Sequence, residues 1–539
     1  MFNRKLIFAA CASALFTSQA YGQAAVWQVV AGEDGRVVAS NLPSATNRSI
    51  TDIFLGDAGA GQVGFRVSSP AASAGYWASK NGIFNRYTQT AVTGTLGPGR
   101  SGAESNHVFL DVYSEWGAVA TDGQRVFAAR ASDPNATANA SYGLWRWDGS
   151  RNTEAARTLS DGVYGPGLGA GWVFPNSSTF ANARMMVGGN VLITSTTTSP
   201  TGASSGLIVR HVPGTGNIPC LRNGATEPAL SPGLTAGDSF QSGWSFGNLA
   251  ITPQGRVYGD FSATGSRDGI WEICNGAPRA IAVDDETGAR GPGMGSAYFT
   301  DVYPPFPGVN GAVMFFSYFR TSPSSSGFGL FLHNGSSNQP LAYNDTAGLF
   351  GPNWAGSTWG TFDVESSGSG SLSTGGQYAS FTASVNTPDS TARGLWRVRV
   401  GQRPELVALI GLTGQYAPEP GRTWASFGAS AILSNGDIVL EARSDPGNTY
   451  ALWLLENGNP TPRRILEPGQ TVPLATTQGT VQATIASFDL NNGGAQYSRG
   501  SDGWIGADGT IMVVATLTNY GEAILTSRPS DRIFSYGFN

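Results

Sequence analysis

GLWRWDG, from Gly143 to Gly149, and GLWRVRVG, from Gly394 to Gly401, are copies of one phrase: a small residue, two apolar residues, a short strand and a glycine turn. The phrase recurs as GYWASKNG from Gly75, GLIVRHVPG from Gly206, GIWEICNG from Gly269, GLFLHNG from Gly329 and ALWLLENG from Ala451. Its third residue falls at Trp77, Trp145, Ile208, Trp271, Phe331, Trp396 and Trp453, in steps of 57 to 68 residues. A period of this length means a repeat architecture, in which each unit buries its apolar face against its neighbours.

Two alternating apolar runs joined by a tight glycine turn precede the phrase, as in VYSEWGAVATDGQRVFAARAS from Val112, WSFGNLAITPQGRVYGDFSA from Trp244 and WASFGASAILSNGDIVLEARS from Trp424. Alternation around DG, QG or NG is the mark of an antiparallel hairpin. A fourth apolar run follows, such as RAIAV from Arg279 or RRILE from Arg463. Four antiparallel strands per unit make a propeller blade. The joints between units also repeat, as TGTLGPGR from Thr93, DGVYGPGLG from Asp161, TGARGPGMG from Thr287 and GQYAPEPG from Gly414. Proline fixes one backbone angle and glycine admits positive φ, which suits a sharp passage from an outer strand to the next inner one. None of these joints carries the lysine of a phosphate-binding loop.

Hairpins near residues 50, 112, 180, 246, 299, 362, 427 and 488 predict eight blades, with seven as the alternative. AVWQVVAGEDGRVVAS from Ala25 reads as third and fourth strands without their hairpin, whereas TIMVVATLT from Thr510 is followed by EAILTS from Glu522 and no fourth strand. The N-terminus is therefore expected to complete the last blade and close the ring. The fold class is all-β, a single β-propeller over residues 23–539, with SSGSGSLSTGG from Ser366 as a long turn inside one blade. A transmembrane barrel would repeat hairpins without grouping strands by fours.

The first 22 residues read as a secretory signal, with Arg4 and Lys5 ahead of an apolar run from Leu6 to Phe16 that is too short to span a membrane. A secreted or periplasmic protein that does not span the membrane is expected. Loss of Arg4 and Lys5 takes the formal charge from −5 to about −7, and Lys80 is then the only lysine. Scattered arginines in an acidic chain offer no footprint for nucleic acid. Cys11 leaves with the signal; Cys220 and Cys274, 54 residues apart, are expected to form a disulfide between adjacent units in an oxidising compartment. No cofactor or metal is assigned.

APEPG from Ala417 with WASF from Trp424 and NGDIVLEA from Asn435, and more faintly DGQRVFAA from Asp122 and QGRVYGD from Gln254, resemble bacterial secreted proteins with tandem NxxGxxAF repeats. The resemblance extends over nearly the whole mature chain. It implies an exported β-propeller and brings no catalytic residues with it.

Among three histidines of the mature chain, His211 and His333 fall in or at the end of third strands and are expected to pack. His107 lies in a joint beside Glu104, with Arg100 and Tyr113 nearby; His, Tyr and Arg are the residue types that propeller polysaccharide lyases use around that face, with histidine the usual acid-base group near neutral pH. These are the catalytic candidates. Asp161, Glu227, Asp284, Asp285, Glu286, Asp345, Glu419 and Glu467 gather near the joints, where they either form a negative collar or stay solvated turn residues; Asp161, Glu227, Asp285, Asp345 and Glu419 are the ligand-binding candidates. SRDGIW from Ser266 is an imperfect single copy of a sialidase-type Asp box. The function expected is a non-enzymatic, monomeric binder of an extracellular glycan or protein at one face of the ring. The alternative is a polysaccharide lyase or hydrolase acting at the joint face.

Overall fold

The computed structural model describes residues 28–32, 34, 37, 49–55, 63–69, 72–80 and 83–527, the last span with internal gaps of which the longest are 113–123, 242–248 and 491–504. The signal segment, Tyr113 and Asp345 lie outside the described residues. Eight antiparallel sheets follow one another along the chain. Seven are four-stranded propeller blades of consecutive strands, spanning 49–89, 108–157, 184–222, 250–283, 298–343, 358–409 and 423–466. In blades 5 and 6 the innermost strand is broken, and its second piece, Phe306–Pro307 or Gly370–Leu372, pairs with the same second strand.

The eighth sheet is built differently, so the count of eight resolves into the alternative of seven blades plus a closing sheet. It orders Thr471–Thr476, Gly479–Asp489, Ile511–Leu517, Gly521–Ser527 and, outermost, the N-terminal strand Gln28–Gly32. Gly479–Asp489 gives its first half to Thr471–Thr476 and its second half to Ile511–Leu517. The N-terminal strand runs antiparallel to the last one, from Gln28 opposite Thr526 to Gly32 opposite Ala523. Val37 then bridges Thr476, which curls the sheet until its two edges meet. Closure by the N-terminus is as expected; Gln28–Gly32 is the first of the two strands read there, and apart from Val37 the second, RVVAS from Arg36, lies outside the described residues. Thr471–Thr476, read as no strand, buries Val472 and Leu474 in strict alternation.

The repeated phrase is the third strand of all seven blades: Ala72–Lys80, Ser141–Trp147, Ser204–Val212, Arg267–Ile273, Ser325–His333, Thr391–Arg399 and Thr449–Leu455. Its pairing with the fourth strand is interrupted by a β-bulge in every blade, between the second and third residues of the phrase in six and one residue later in blade 3. The bulge turns the fourth strand's backbone toward the leading small residue. A Cβ on Gly269 would stand 2.3 Å from the Ala282 carbonyl oxygen, and one on Gly143 would stand 2.7 Å from the Trp145 ring. Glycine is thus dictated by close approach. The third-position residue is fully buried in each blade, so the aromatic ladder is core and not an exposed stacking surface.

Each blade contact has its own apolar cluster, for example Phe109, Phe127 and Trp145 with Tyr87 between blades 1 and 2, and Phe316, Leu332, Trp359 and Phe381 between blades 5 and 6. A further cluster joins blade 7 to the closing sheet through Val439, Leu452, Val513 and Leu525. Burial of aromatic side chains on this scale dominates the stability of the ring. The bridge between Cys220 and Cys274, with Cα atoms 4.6 Å apart, ties blade 3 to blade 4.

Polar clamps supplement the packing. Asn152, Asn217 and Asn338, each on a fourth strand, donate from Nδ2 to a carbonyl of the preceding blade's fourth strand (Tyr87, Ala155 and Ile281) and to the first glycine of the GPG joint (Gly97, Gly165 and Gly291). The second joint glycine, Gly99, Gly167 or Gly293, has φ near +70° and sits against the clamp asparagine's own carbonyl, where a Cβ would approach within 2.1 to 2.2 Å. The joint motif is therefore the imprint of one clamp geometry. On the third strand, next to the clamp position, Arg146 and Arg397 donate toward the following blade, to the turn carbonyls of Gly189 and Gly436.

Candidate functional site

His211 and His333 belong to the clamps: their Nδ1 lies 3.0 Å from the Oδ1 of Asn217 and Asn338. Because each asparagine spends its Nδ2 on carbonyls, the imidazole must donate through Nδ1–H. Burial, ahead of the other influences, holds both rings below the usual histidine range, so they are neutral packing residues at neutral pH.

The structure brings Arg100, Glu104 and His107 together at the joint between blades 1 and 2. The Arg100 guanidinium donates from Nε and Nη2 to Glu154 at 3.2 and 2.6 Å, from Nη2 to Ser141 at 2.9 Å, and from Nη1 toward His107 Nδ1 at 2.9 Å. Arg157 reaches both Glu154 and Glu104. Glu154 and Arg157, on the fourth strand of blade 2, complete the network; nothing in the joint sequence points to them, because they lie some 50 residues on. A guanidinium can only donate, so His107 Nδ1 is the acceptor and the ring is neutral with its proton on Nε2. Burial and the Arg100 charge both hold its pKa down. Although burial pushes the other way, the hydrogen bond from Arg157 and the charges of both arginines keep Glu104 ionised below the usual range.

The acidic joint residues do not act as one collar. Glu227 pairs with Arg222 at 3.3 Å, Glu286 with Arg290 at 3.3 Å, and Glu419 with Arg464 at 2.6 Å, while Glu467 shares Arg464. Asp161 caps the Gly171 amide at 3.0 Å. Asp284 and Asp285 differ. They follow the fourth strand of blade 4 and meet Asp268, at the head of that blade's third strand, and Asp301, on the inner strand of blade 5. Two backbone bonds hold them there, Asp284 N–H to Asp268 O and Asp285 N–H to Phe299 O, both 2.9 Å. None of the four carboxylates has an ion-pair partner among the described residues. Asp285 and Asp301 are exposed, whereas Asp284 is only 7% exposed and its Oδ1 has no hydrogen-bond partner. Burial first, then the charges of Asp268, Asp301 and Asp285, push Asp284 up to about 7, against a hydrogen bond from the Asp268 amide. Burial and Asp268 likewise raise Asp301. Among the described residues no three carboxylate, imidazole or thiol groups converge to hold a metal ion.

Among the described residues the unneutralised acidity of the joints is thus concentrated between blades 4 and 5. Sequence reading found Asp284 and Asp285 but passed over Asp268 and Asp301, which stand in SRDGIW and FTDV with no local sign of their convergence.

Residues 254–498 match the model of a family of unknown function (DUF7453). That span is under half of the chain and runs from the second strand of blade 4 through blade 7, with the acidic site inside it. No curated protein sequence matches the chain. Among solved structures, it is similar to a puromycin-hydrolysing peptidase of Mycobacterium tuberculosis, at 13% identity over 87% of this chain and 62% of the peptidase, with a TM-score of 0.29. It is also similar to prolyl oligopeptidase B of Galerina marginata, at 8% identity over 81% of this chain and 54% of that one, TM-score 0.31. A Lactobacillus plantarum protein is matched at 10% identity over 78% of this chain and 99% of its own, TM-score 0.26. The chain spans little more than half the length of the two peptidases.

Proposed function

We propose that the protein is an exported β-propeller that binds a partner without chemical turnover, gripping a guanidinium or ammonium group of that partner at Asp268, Asp284, Asp285 and Asp301. The observation that carries this reading is that, among the described residues, these four carboxylates have no counter-ion, whereas Asp161, Glu227, Glu286, Glu419 and Glu467 each have an arginine or an amide. Four acids held together with one nearly buried oxygen unpaired leave an electrostatic cost that an incoming cation removes. The cation fits a basic side chain better than a metal ion, since the carboxylates do not converge on a point and a guanidinium spans separated acceptors. The buried disulfide is consistent with an oxidising, extracytoplasmic setting.

Binding of arginine-rich and lysine-rich peptides to the mature protein, followed by surface plasmon resonance across a salt series, tests the reading. The expected result is salt-sensitive binding that a Asp268→Asn, Asp301→Asn double variant weakens at least tenfold. Equal binding by the variant, or no binding at low salt, overturns it.

The rival reading, polysaccharide elimination or hydrolysis with His107 as the base, has the contact of His107 with Arg100 in its favour. Against it, Arg100 already spends its donors on Glu154, Ser141 and His107 and has a side chain only 4% exposed, so no free cation is left there for a substrate carboxylate. An unchanged rate in a His107→Ala variant of any active preparation removes this residue from the mechanism.

A further inference from the structure

A cavity of about 250 Å³ opens on the outer rim between blades 6 and 7, far in sequence from the acidic joint. One side is the fourth strand of blade 6, Glu405–Leu409, with Leu406 and Val407; the other is the turn between the third and fourth strands of blade 7, with Leu455, Pro460 and Pro462. The joint residues Gln415 and Tyr416 close one end. We propose that this cavity is a binding site for a single pyranose ring, either a free monosaccharide or the terminal residue of a glycan.

The lining is pre-ordered. Arg397, with a side chain 5% exposed, donates from Nε and Nη2 to the same oxygen of Glu405, Oε2, at 3.2 and 2.9 Å, and from Nη1 to Gly436 O at 3.1 Å. Glu405 Oε1 is left without a partner among the described residues, on a side chain that is 57% exposed. Across the cavity, Asn459 donates to Glu456 Oε2 at 2.9 Å and accepts from the Thr461 amide at 3.1 Å, which fixes its amide orientation. The Tyr416 backbone is pinned by Trp424 Nε1 at 2.7 Å. Polar groups held in place by their neighbours, beside leucine, proline and tyrosine surfaces, match the two characters of a sugar ring: hydroxyls that need both donors and acceptors, and C–H faces that need apolar cover.

Charge and size narrow the class further. Arg397 offsets one of the two glutamates, so the lining carries a net charge near −1, too little to select a cation over a neutral polyol. The volume lies below the ~300–1,000 Å³ of sites for drug-sized ligands, which suits one ring and not an oligosaccharide.

Saturation-transfer NMR and calorimetry of the mature protein with methyl glycosides of glucose, galactose, mannose and N-acetylglucosamine test the site, with a glycan array as the arm for terminal residues. Binding of one or more glycosides is expected, weakened at least fivefold by Gln415→Ala, at an exposed joint residue, and by Glu405→Gln. Array binding without monosaccharide binding assigns the site to terminal residues and retains it. No glycoside or glycan binding, or binding undiminished in both variants, overturns the proposal. Because the acidic joint is untouched by these variants, peptide binding there is expected to persist, and the two sites fail or stand separately.

Discussion

The side-chain amide of Asn338 donates to the carbonyl of Gly291 at 3.1 Å, joining a fourth strand to a joint 47 residues earlier in the chain. The same nitrogen holds Ile281 O at 3.1 Å, and His333 holds the oxygen of the same amide. One buried side chain therefore satisfies two backbone carbonyls of the neighbouring blade. Asn338→Ala leaves both carbonyls unpaired and is expected to cost about 2–4 kcal/mol of stability, read by urea denaturation. Asn338→Asp is expected to cost at least as much, since a carboxylate cannot donate to either carbonyl.

Gly293 sits against the carbonyl of that same asparagine with φ +72°, 2.2 Å from where a Cβ would fall. Gly293→Ala is expected to lower the melting temperature, because the backbone conformation and the close approach both reject a side chain. Gly295, also at positive φ but with nothing near its Cβ position, provides the comparison. Gly295→Ala is expected to cost clearly less, and equal losses at the two positions in calorimetry would remove close approach as the cause.

Asp284 makes stability depend on pH. Its folded value of about 7 lies above the ordinary aspartate value, so the folded state binds the proton more tightly than the unfolded chain. The resulting stability is fully present below about pH 4 and is lost as pH rises through 7, a contribution on the order of a few kcal/mol. Blades 3 and 5 carry Asn223 and Asn344 in the corresponding place, and Asn344 Oδ1 accepts the Phe328 amide at 2.8 Å. Asp284→Asn is therefore expected to raise the melting temperature at pH 8 while leaving it nearly unchanged at about pH 3.5, below the ordinary aspartate value. A pH profile unaltered by the substitution would exclude Asp284 as its source.

The Cys220–Cys274 bridge closes a separation of 54 residues. Peptide mapping without reduction is expected to recover the linked pair. The Cys220→Ser, Cys274→Ser variant is expected to lose about 3–4 kcal/mol in the chain-entropy account.

Removal of residues 23–41 takes away the outermost strand of the closing sheet and bares the edge of Gly521–Ser527. Aggregation or a large drop in melting temperature is expected, since an unpaired apolar edge recruits other chains. A truncated protein that melts like the full mature chain would show that ring closure does not depend on this strand.

The blade phrase, the GPG joints and the disulfide were legible in the sequence because each answers a local demand that repeats: a bulge that admits only a small residue, a joint that admits only glycine, and two cysteines one period apart. The closing sheet was only half legible. Its strands come from the two ends of the chain, and Thr471–Thr476 belongs to no repeat, so periodicity carried no information about it. The acidic site was least legible. Glu419 and Asp284 look alike in sequence, each in a joint, yet Arg464 reaches the first from 45 residues away and no arginine among the described residues reaches the second. Local sequence determined which side chains stand at the joints; which of them keep their charge unanswered was decided by tertiary structure, because a carboxylate's counter-ion is supplied across strands and blades.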